Sequence, residues 1–275
     1  MSAGSRLKIA LLGAAGRMGR EVVTDLSDAP DFQLVAAVGR SGDENIGRDI
    51  GEIAGGRPLG VALSDDVKAA AQAADVFMDF SGPNGFKVAL DACRGAGCAF
   101  LSGTTGLGDA EHAELAAAGR EIAALYAPNM SFGMAVLDHL AEEAAKMLGE
   151  DFDVEIVEMH HRNKKDAPSG SALRLGETIA AARGTTLAQC AEFDRHGRTE
   201  RAPGSIGFAS LRGGDVAGDH TVIFAGEGER LELTFRAGGR HIFARGALAA
   251  SRWLAGRPAG VYSLSDYLRA DGGRG

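Results

Sequence analysis

Between Glu158 and Ser171 the chain reads E-M-H-H-R-N-K-K-D-A-P-S-G-S, with two histidines, one arginine and two lysines in the six positions His160 to Lys165. An imidazole exchanges protons near neutral pH, and a lysine ammonium can donate one. Guanidinium and ammonium groups bind carboxylate or phosphate. The pattern therefore offers acid–base chemistry and anion binding in one place. The whole chain is charged the other way, with 29 Lys+Arg against 37 Asp+Glu and a formal net charge of -8. A dense positive patch on an acidic chain fits a small anionic ligand better than a nucleic acid. A solvated surface loop would use the same residue types. The order of the segment argues for a site, because acid–base groups at a strand end sit where binding loops do.

Two elements must position these residues. Phe152 to Met159 alternates apolar with acidic residues, and that period of two predicts a half-buried strand. Pro168, Ser169, Gly170 and Ser171 lead into A-L-R-L-G-E-T-I-A-A-A, which predicts a helix over 171–183, with a serine suited to its cap. The segment reads strand, basic loop, helix N-terminus. Free N–H groups at that N-terminus would bind a carboxylate or phosphate.

A second pattern stands near the start. The apolar run Arg6 to Leu12 ends in G-A-A-G-R-M-G, with Gly13, Gly16 and Gly19, and R-E-V-V-T-D-L follows. Strand, glycine loop and helix in this order allow a tight turn, close approach of backbone to a pyrophosphate and close helix-on-strand packing. Asp31 to Val38 predicts the second strand, whose end would face the adenosine ribose. An acid there accepts from a 2′-hydroxyl, whereas an arginine suits a 2′-phosphate. This chain has Gly39-Arg40, which favours NADPH over NADH.

Strand and helix alternate from there to Ala127, with strands predicted over Val61–Leu63, Ala74–Phe80, Ala99–Ser102 and Ala123–Ala127. This predicts a Rossmann-like doubly wound parallel sheet. Phe132 to Leu148 predicts a long helix with an apolar stripe of Met134, Leu137, Leu140, Ala144 and Met147. Beyond residue 183 the character changes: Ser205–Leu211, His220–Ala225 and Arg230–Phe235 read as strands joined by glycine turns. A helix follows over Ile242–Leu254. The expected fold class is α/β, with a second α+β domain built on a mixed, largely antiparallel sheet. Residues 1–130 would form a dinucleotide-binding domain, with 241–275 packing back on it. Residues 131–240 would form a substrate-binding and oligomerisation domain. The length suits about two domains of about 100–200 residues each. No segment approaches the roughly 20 apolar residues of a membrane span. Cys93, Cys98 and Cys190 form no C-x-x-C pair, and their scatter suits a reducing cytoplasm.

Taken together, several motifs resemble those of the 4-hydroxy-tetrahydrodipicolinate reductase (dihydrodipicolinate reductase) family. They are G-A-A-G-R-M-G (Gly13 to Gly19), D-F-S-G-P (Asp79 to Pro83), S-G-T-T-G (Ser102 to Gly106), P-N-M-S-F-G (Pro128 to Gly133), the basic stretch from Glu158 to Ala172, and I-G-F-A-S-L-R-G-G-D-V-A-G-D-H-T (Ile206 to Thr221). The resemblance runs nearly end to end. It implies NAD(P)H-dependent reduction of a small cyclic dicarboxylate, 4-hydroxy-tetrahydrodipicolinate, to tetrahydrodipicolinate in lysine biosynthesis by the diaminopimelate pathway. It also implies a cytoplasmic homotetramer joined through the second domain's sheet, with no nucleic acid, membrane or metal involved.

The same resemblance implies roles for single residues. Gly13, Ala14, Ala15, Gly16, Arg17 and Met18 would cradle the cofactor pyrophosphate, and Arg40 would sit by the adenosine ribose. Gly103, Thr104 and Thr105, with Ala127, Pro128, Asn129 and Met130, would line the nicotinamide side. His160 and Lys164 would handle protons. His161, Gly170 and Ser171 would contact substrate carboxylates, with Arg240 a further contact. Many relatives carry an acid where this chain has Gly39. Two rival readings are a semialdehyde dehydrogenase, which needs a nucleophilic cysteine, and a catalytically silent NADP(H)-sensing protein.

Overall fold

A computed structural model describes residues 6–197 and 200–271. Residues 1–5 and 272–275, the two ends of the expected first domain, lie outside the described residues. The chain divides into two compact units, Met1–Met130 with Arg240–Gly275, and Ser131–Gly239.

The first unit runs β1 (Leu7–Leu12), α1 (Arg17–Asp28), β2 (Phe32–Val38), α2 (Ile50–Ile53), β3 (Leu63–Ser64), α3 (Val67–Ala73), β4 (Val76–Asp79), α4 (Pro83–Ala96), β5 (Ala99–Ser102), α5 (Asp109–Ala118) and β6 (Ala123–Tyr126). The second unit follows with α6 (Phe132–Leu148), β7 (Asp153–His160), α7 (Gly170–Ala182), α8 (Leu187–Cys190), β8 (Ala191–Glu192), β9 (Ile206–Arg212), β10 (Asp219–Gly226) and β11 (Glu229–Arg236). The chain then returns to the first unit with α9 (His241–Leu254), β12 (Gly260–Tyr262) and α10 (Leu264–Asp271).

The first unit's sheet has seven strands in the order β12-β6-β5-β4-β1-β2-β3, all paired in parallel. Parallel strands need crossovers, and the crossover helices bury the sheet on both faces. That is why β1 and β4 read as near-continuous apolar runs: Ile9, Leu11, Phe77 and Met78 are all fully buried. On one side Phe77, Phe86 and Phe100 join one core cluster, with the Phe86 and Phe100 rings edge to face at 5.4 Å. The order reverses between β1 and β4. In sheets of this kind ligands bind beyond the carboxyl ends of the strands at such a reversal.

The second unit's sheet is mixed, in the order β11-β10-β7-β9-β8. Its long β10 is antiparallel to both β7 and β11, while β9 is parallel to β7 and β8. Leu137, Ala141, Val154, Ile156, Leu175, Ile179, Val222 and Phe224 lie in one core between this sheet and α6 and α7. The expected stripe on α6 holds at Met134, Leu137 and Ala144 and fails at Leu140 and Met147. Leu140 is 47% exposed and Met147 78%, and the buried row is Met134, Leu137, Ala141, Ala144 and Ala145. A 3.6-residue repeat carries the inward face from Leu137 to Ala141, so size misled where phase decides.

Candidate active site

The glycine loop leaves β1 at Gly13, whose φ of 81° only glycine adopts freely. Its N–H bonds the Val38 carbonyl at 2.9 Å, which ties the loop to the end of β2. A Cβ on Gly19 would stand 2.2 Å from the Gly13 carbonyl oxygen, so α1 approaches the loop as closely as backbone allows. Gly16 is the cap residue of α1 and has no side chain to satisfy the first-turn N–H groups. No acidic residue lies in that first turn. Gly16 and Arg17 are exposed, Ala15 and Met18 are half-buried, and Ala14 is buried. Arg40 follows the end of β2 and is also exposed.

Next to this loop lies a buried carboxylate that sequence reasoning left without a role. Asp79, the last residue of β4, is fully buried. One oxygen accepts from the backbone N–H of Ser81 at 3.0 Å and from its hydroxyl. The other accepts from the hydroxyls of Ser102 and Thr104, each at 2.8 Å. Burial pushes the Asp79 carboxyl up, against the pull of the hydrogen bonds from Ser81, Thr104 and Ser102. The D-F-S-G-P and S-G-T-T-G motifs thus meet through one side chain. Thr104 turns its hydroxyl inward to Asp79, while Thr105 is exposed. The Ala127 N–H bonds the Ser102 carbonyl at 3.0 Å, and this sets the 127–130 segment beside the same loop.

In the second unit the chemistry gathers at the end of β7. Strict alternation places Val154, Ile156, Glu158 and His160 on the buried face. Glu158 therefore enters the core, 1% exposed. Arg212, at the end of neighbouring β9, reaches both of its oxygens at 2.8 and 2.9 Å. The Ser169 N–H donates to it at 3.2 Å, and His160 Nδ1 lies 2.6 Å from it. Burial pushes the Glu158 carboxyl up, but hydrogen bonds from Arg212, His160 and Ser210 outweigh that and hold it at about 2. Arg212 also donates to the Asp166 carbonyl at 2.7 Å, tying the basic loop to β9.

His220 of β10 stands opposite Glu158 in register, its ring edge to face with that of His160 at 5.2 Å. The hydroxyl of Ser169 lies 3.1 Å from His220 Nε2 and accepts from the Ala172 N–H, so Ser169 caps α7 and meets the histidine together. Burial pushes the His220 imidazole down to about 4, with His160 adding to the effect and Glu158 opposing it. Burial likewise lowers His160, against the opposite pull of Glu158. Burial thus favours the neutral form of the His160 imidazole. Its Nε2 borders Gly218, where a Cβ would sit 3.0 Å away. Lys164 pairs with Asp166 at 2.8 Å. Gly170 is the exposed first residue of α7, whose first turn carries no acid; Ser171 follows it half-buried, and His161, just past the end of β7, is half-buried as well.

The structure therefore brings His160, Lys164, His161, Gly170 and Ser171 into one segment around the end of β7 and the start of α7. The fourteen residues expected to hold a cofactor all fall in the first unit, at the carboxyl ends of β1, β2, β5 and β6. Arg240 is exposed at the start of α9, in the returning part of that unit. Sequence reasoning gave no role to Asp79, Glu158, Arg212 and His220. For Glu158 the signal was its place in the phase of Val154 and Ile156. Cys93 and Cys98 are buried at the amino end of β5, the sheet edge opposite the glycine loop, and burial pushes the Cys93 thiol up. Neither is placed as a nucleophile.

A parallel sheet with an open glycine loop at its reversal, together with a second unit carrying a histidine and a lysine at a strand end, defines a two-unit oxidoreductase with a nucleotide-binding domain. The family descriptions "Dihydrodipicolinate reductase, N-terminus" and "Dihydrodipicolinate reductase, C-terminus" match residues 7–130 and 133–268. The protein belongs to the dihydrodipicolinate reductase family. It is 50% identical over 262 residues to the 4-hydroxy-tetrahydrodipicolinate reductase of Alkalilimnicola ehrlichii, a match covering 95% of this chain and 98% of the relative. It is 48% identical to the reductase of the same name from Burkholderia thailandensis, over 96% of this chain and 98% of that one. Among solved structures, a dipicolinate-bound dihydrodipicolinate reductase from Paenisporosarcina sp. TG-14 superposes with a TM-score of 0.73 at 23% identity, covering 95% of this chain and 99% of that one, which speaks for the fold. Among the described residues no helix is long and apolar enough to cross a membrane.

Proposed function

We propose that the protein reduces 4-hydroxy-tetrahydrodipicolinate to tetrahydrodipicolinate, with NAD(P)H as reductant, in the diaminopimelate route to lysine. The observation that carries this reading is the cluster at the end of β7: a neutral histidine held by a buried carboxylate, a lysine four residues on, and an acid-free helix N-terminus. A dicarboxylate substrate needs cations and N–H donors, and the loop and α7 offer both.

The residues of the first unit fit the cofactor. Gly16 leaves the start of α1 uncapped and free of acids, as a pyrophosphate requires. Gly13, Ala14, Ala15, Gly16, Arg17 and Met18 would hold that pyrophosphate. Gly103, Thr104 and Thr105 with Ala127, Pro128, Asn129 and Met130 would line the nicotinamide, Thr104 through its backbone because its hydroxyl is taken by Asp79. NAD(P)H bound there supplies a hydride. The protein's own groups do the rest. Loss of the substrate's ring hydroxyl as water, and protonation of the enamine left by reduction, both need proton transfer, which His160 and Lys164 would perform. His161, Gly170, Ser171 and Arg240 would hold the carboxylates. In this reading 1–130 with 241–275 is the dinucleotide domain and 131–240 the substrate and assembly domain. The protein would work in the cytoplasm as a homotetramer. The edge strand β11 is mostly exposed, as an assembly surface would be.

NADPH is the expected preference. Position 39 has no carboxylate to accept from a ribose 2′-hydroxyl or to repel a 2′-phosphate, and Arg40 offers a planar, always-charged donor set. Arg40→Ala should raise KM for NADPH roughly tenfold, the scale of a charge-assisted contact, and leave NADH nearly unchanged. Equal losses with both cofactors would remove the 2′-phosphate role. The function itself is tested by following NADPH and NADH oxidation with freshly generated substrate. Cofactor binding without turnover would point instead to a sensing protein.

A further inference from the structure

We infer that Glu158, clamped by Arg212, is a positioning residue that keeps the proton of neutral His160 on Nδ1, so that Nε2 is the nitrogen that takes a proton from the substrate. This rests on the reductase reading of the site. The two Glu158 oxygens receive N–H groups from both ends of the Arg212 fork and from Ser169, and an arginine guanidinium stays charged. A carboxyl so surrounded is ionised and can only accept. His160 Nδ1, at 2.6 Å from such a group, must therefore donate to it. The other tautomer would turn a nitrogen lone pair onto a carboxylate oxygen at that distance, with no proton between them.

The roles of the loop residues then separate. A neutral imidazole with its hydrogen on Nδ1 has its lone pair on Nε2, so His160 is a proton acceptor at neutral pH. The balance of the reaction supports this division. Loss of the ring hydroxyl as water removes one proton from carbon and places one on the leaving oxygen. His160 Nε2 takes the first and Lys164 gives the second. Arg212 also grips the Asp166 carbonyl, and Asp166 pairs with Lys164. The same clamp therefore fixes the acceptor and steadies the segment that carries the donor. Gly218 borders Nε2, and any side chain there would crowd the working nitrogen.

The test combines nitrogen NMR of the histidine side chains with steady-state kinetics on the full-length protein. In the wild type the His160 ring should carry its hydrogen on Nδ1, and Glu158→Gln should lose that signature. Turnover of Glu158→Gln should fall by up to about 10⁴-fold in kcat, the scale seen when the carboxylate that orients a catalytic histidine is replaced by its amide, while NADPH binding is kept. Glu158→Asp, which keeps the charge, should recover part of the loss. A wild-type His160 with its hydrogen on Nε2 would overturn the inference, as would a folded Glu158→Gln with kcat within about threefold of wild type. The tautomer measurement needs no turnover. If the wild type fails to reduce the substrate while His160 still carries its hydrogen on Nδ1, the reductase reading falls and the tautomer assignment stands.

Discussion

Replacing His160 by Gln or Lys164 by Ala should lower kcat about 10²–10⁴-fold, the usual loss for one acid–base group, with NADPH binding kept. Near wild-type kcat in Lys164→Ala would remove its donor role. His220 is held neutral down to about 4, whereas an ordinary histidine takes its proton near 6.5. Between those values the unfolded chain binds a proton that the folded chain refuses. Stability must then fall as pH falls through that window, by up to roughly 3 kcal/mol. The groups that face His220 act on both sides: His160 and Lys164 deepen the shift, and Glu158 reduces it. His220→Gln should flatten the dependence. Urea midpoints at about pH 7.5 and about pH 4.5 measure it, and an unchanged slope would show that His220 is not the group responsible. The sequence displayed His160 and Lys164 because they stand in one dense run. Arg212 and His220 escaped notice because they reach Glu158 and Ser169 from 54 and 51 residues away. Glu158 lay in view, yet a carboxylate reads as a surface residue until the strand's phase puts it beside Ile156.

At the scale of elements, close approach is the condition that the glycine loop meets. Gly19 lets the first turn of α1 touch the Gly13 and Ala14 carbonyls, where a Cβ would stand 2.2 and 2.6 Å away. Gly19→Ala should push the helix off the loop. The expected result is a drop of several degrees in Tm, from about 1–3 kcal/mol of overpacking, together with weaker NADPH binding. Thermal melts and cofactor titration check both, and wild-type behaviour in both would mean the helix slides without cost. Elements with strong periodicity were legible, and α6 and β5 stand where the sequence placed them, at Phe132–Leu148 and Ala99–Ser102. The face of α6 was legible only in part, because Ala141 and Ala145 carry core contacts, and alanine gives a weak signal beside Leu140 and Met147. β8 and β12 have two and three residues, too few to show any period.

At the scale of the whole chain, the second unit is an insertion into the first. The chain leaves the first unit at Met130 and re-enters at Arg240. The returning helix α9 is no appendage: it buries Ala244, Ala247, Ala250 and Leu254, and a Cβ on Gly246 would fall 1.7 Å from the Met130 carbonyl oxygen. Arg252 pairs with Asp31 at 2.6 Å and lies over the Phe32 ring at 4.6 Å, which fastens α9 to the start of β2. β12 then adds the last parallel strand beside β6. A chain cut after Gly239 keeps every residue of the glycine loop but loses all of this burial. It should fail to fold its first unit and should not bind NADPH. The reverse construction should succeed. From the start of α9 to Gly246 the helix climbs roughly 8 Å at about 1.5 Å per residue, and Gly246 already touches Met130. A linker of about four glycine or serine residues can span about 13 Å, enough to join Met130 directly to Arg240. That shortened chain, without residues 131–239, should melt cooperatively and bind NADPH while reducing no substrate. Circular dichroism melts and cofactor fluorescence on the two chains decide the matter. Cofactor binding by the chain ending at Gly239 would mean that α9 and β12 are dispensable to the nucleotide fold, and the insertion reading would fail.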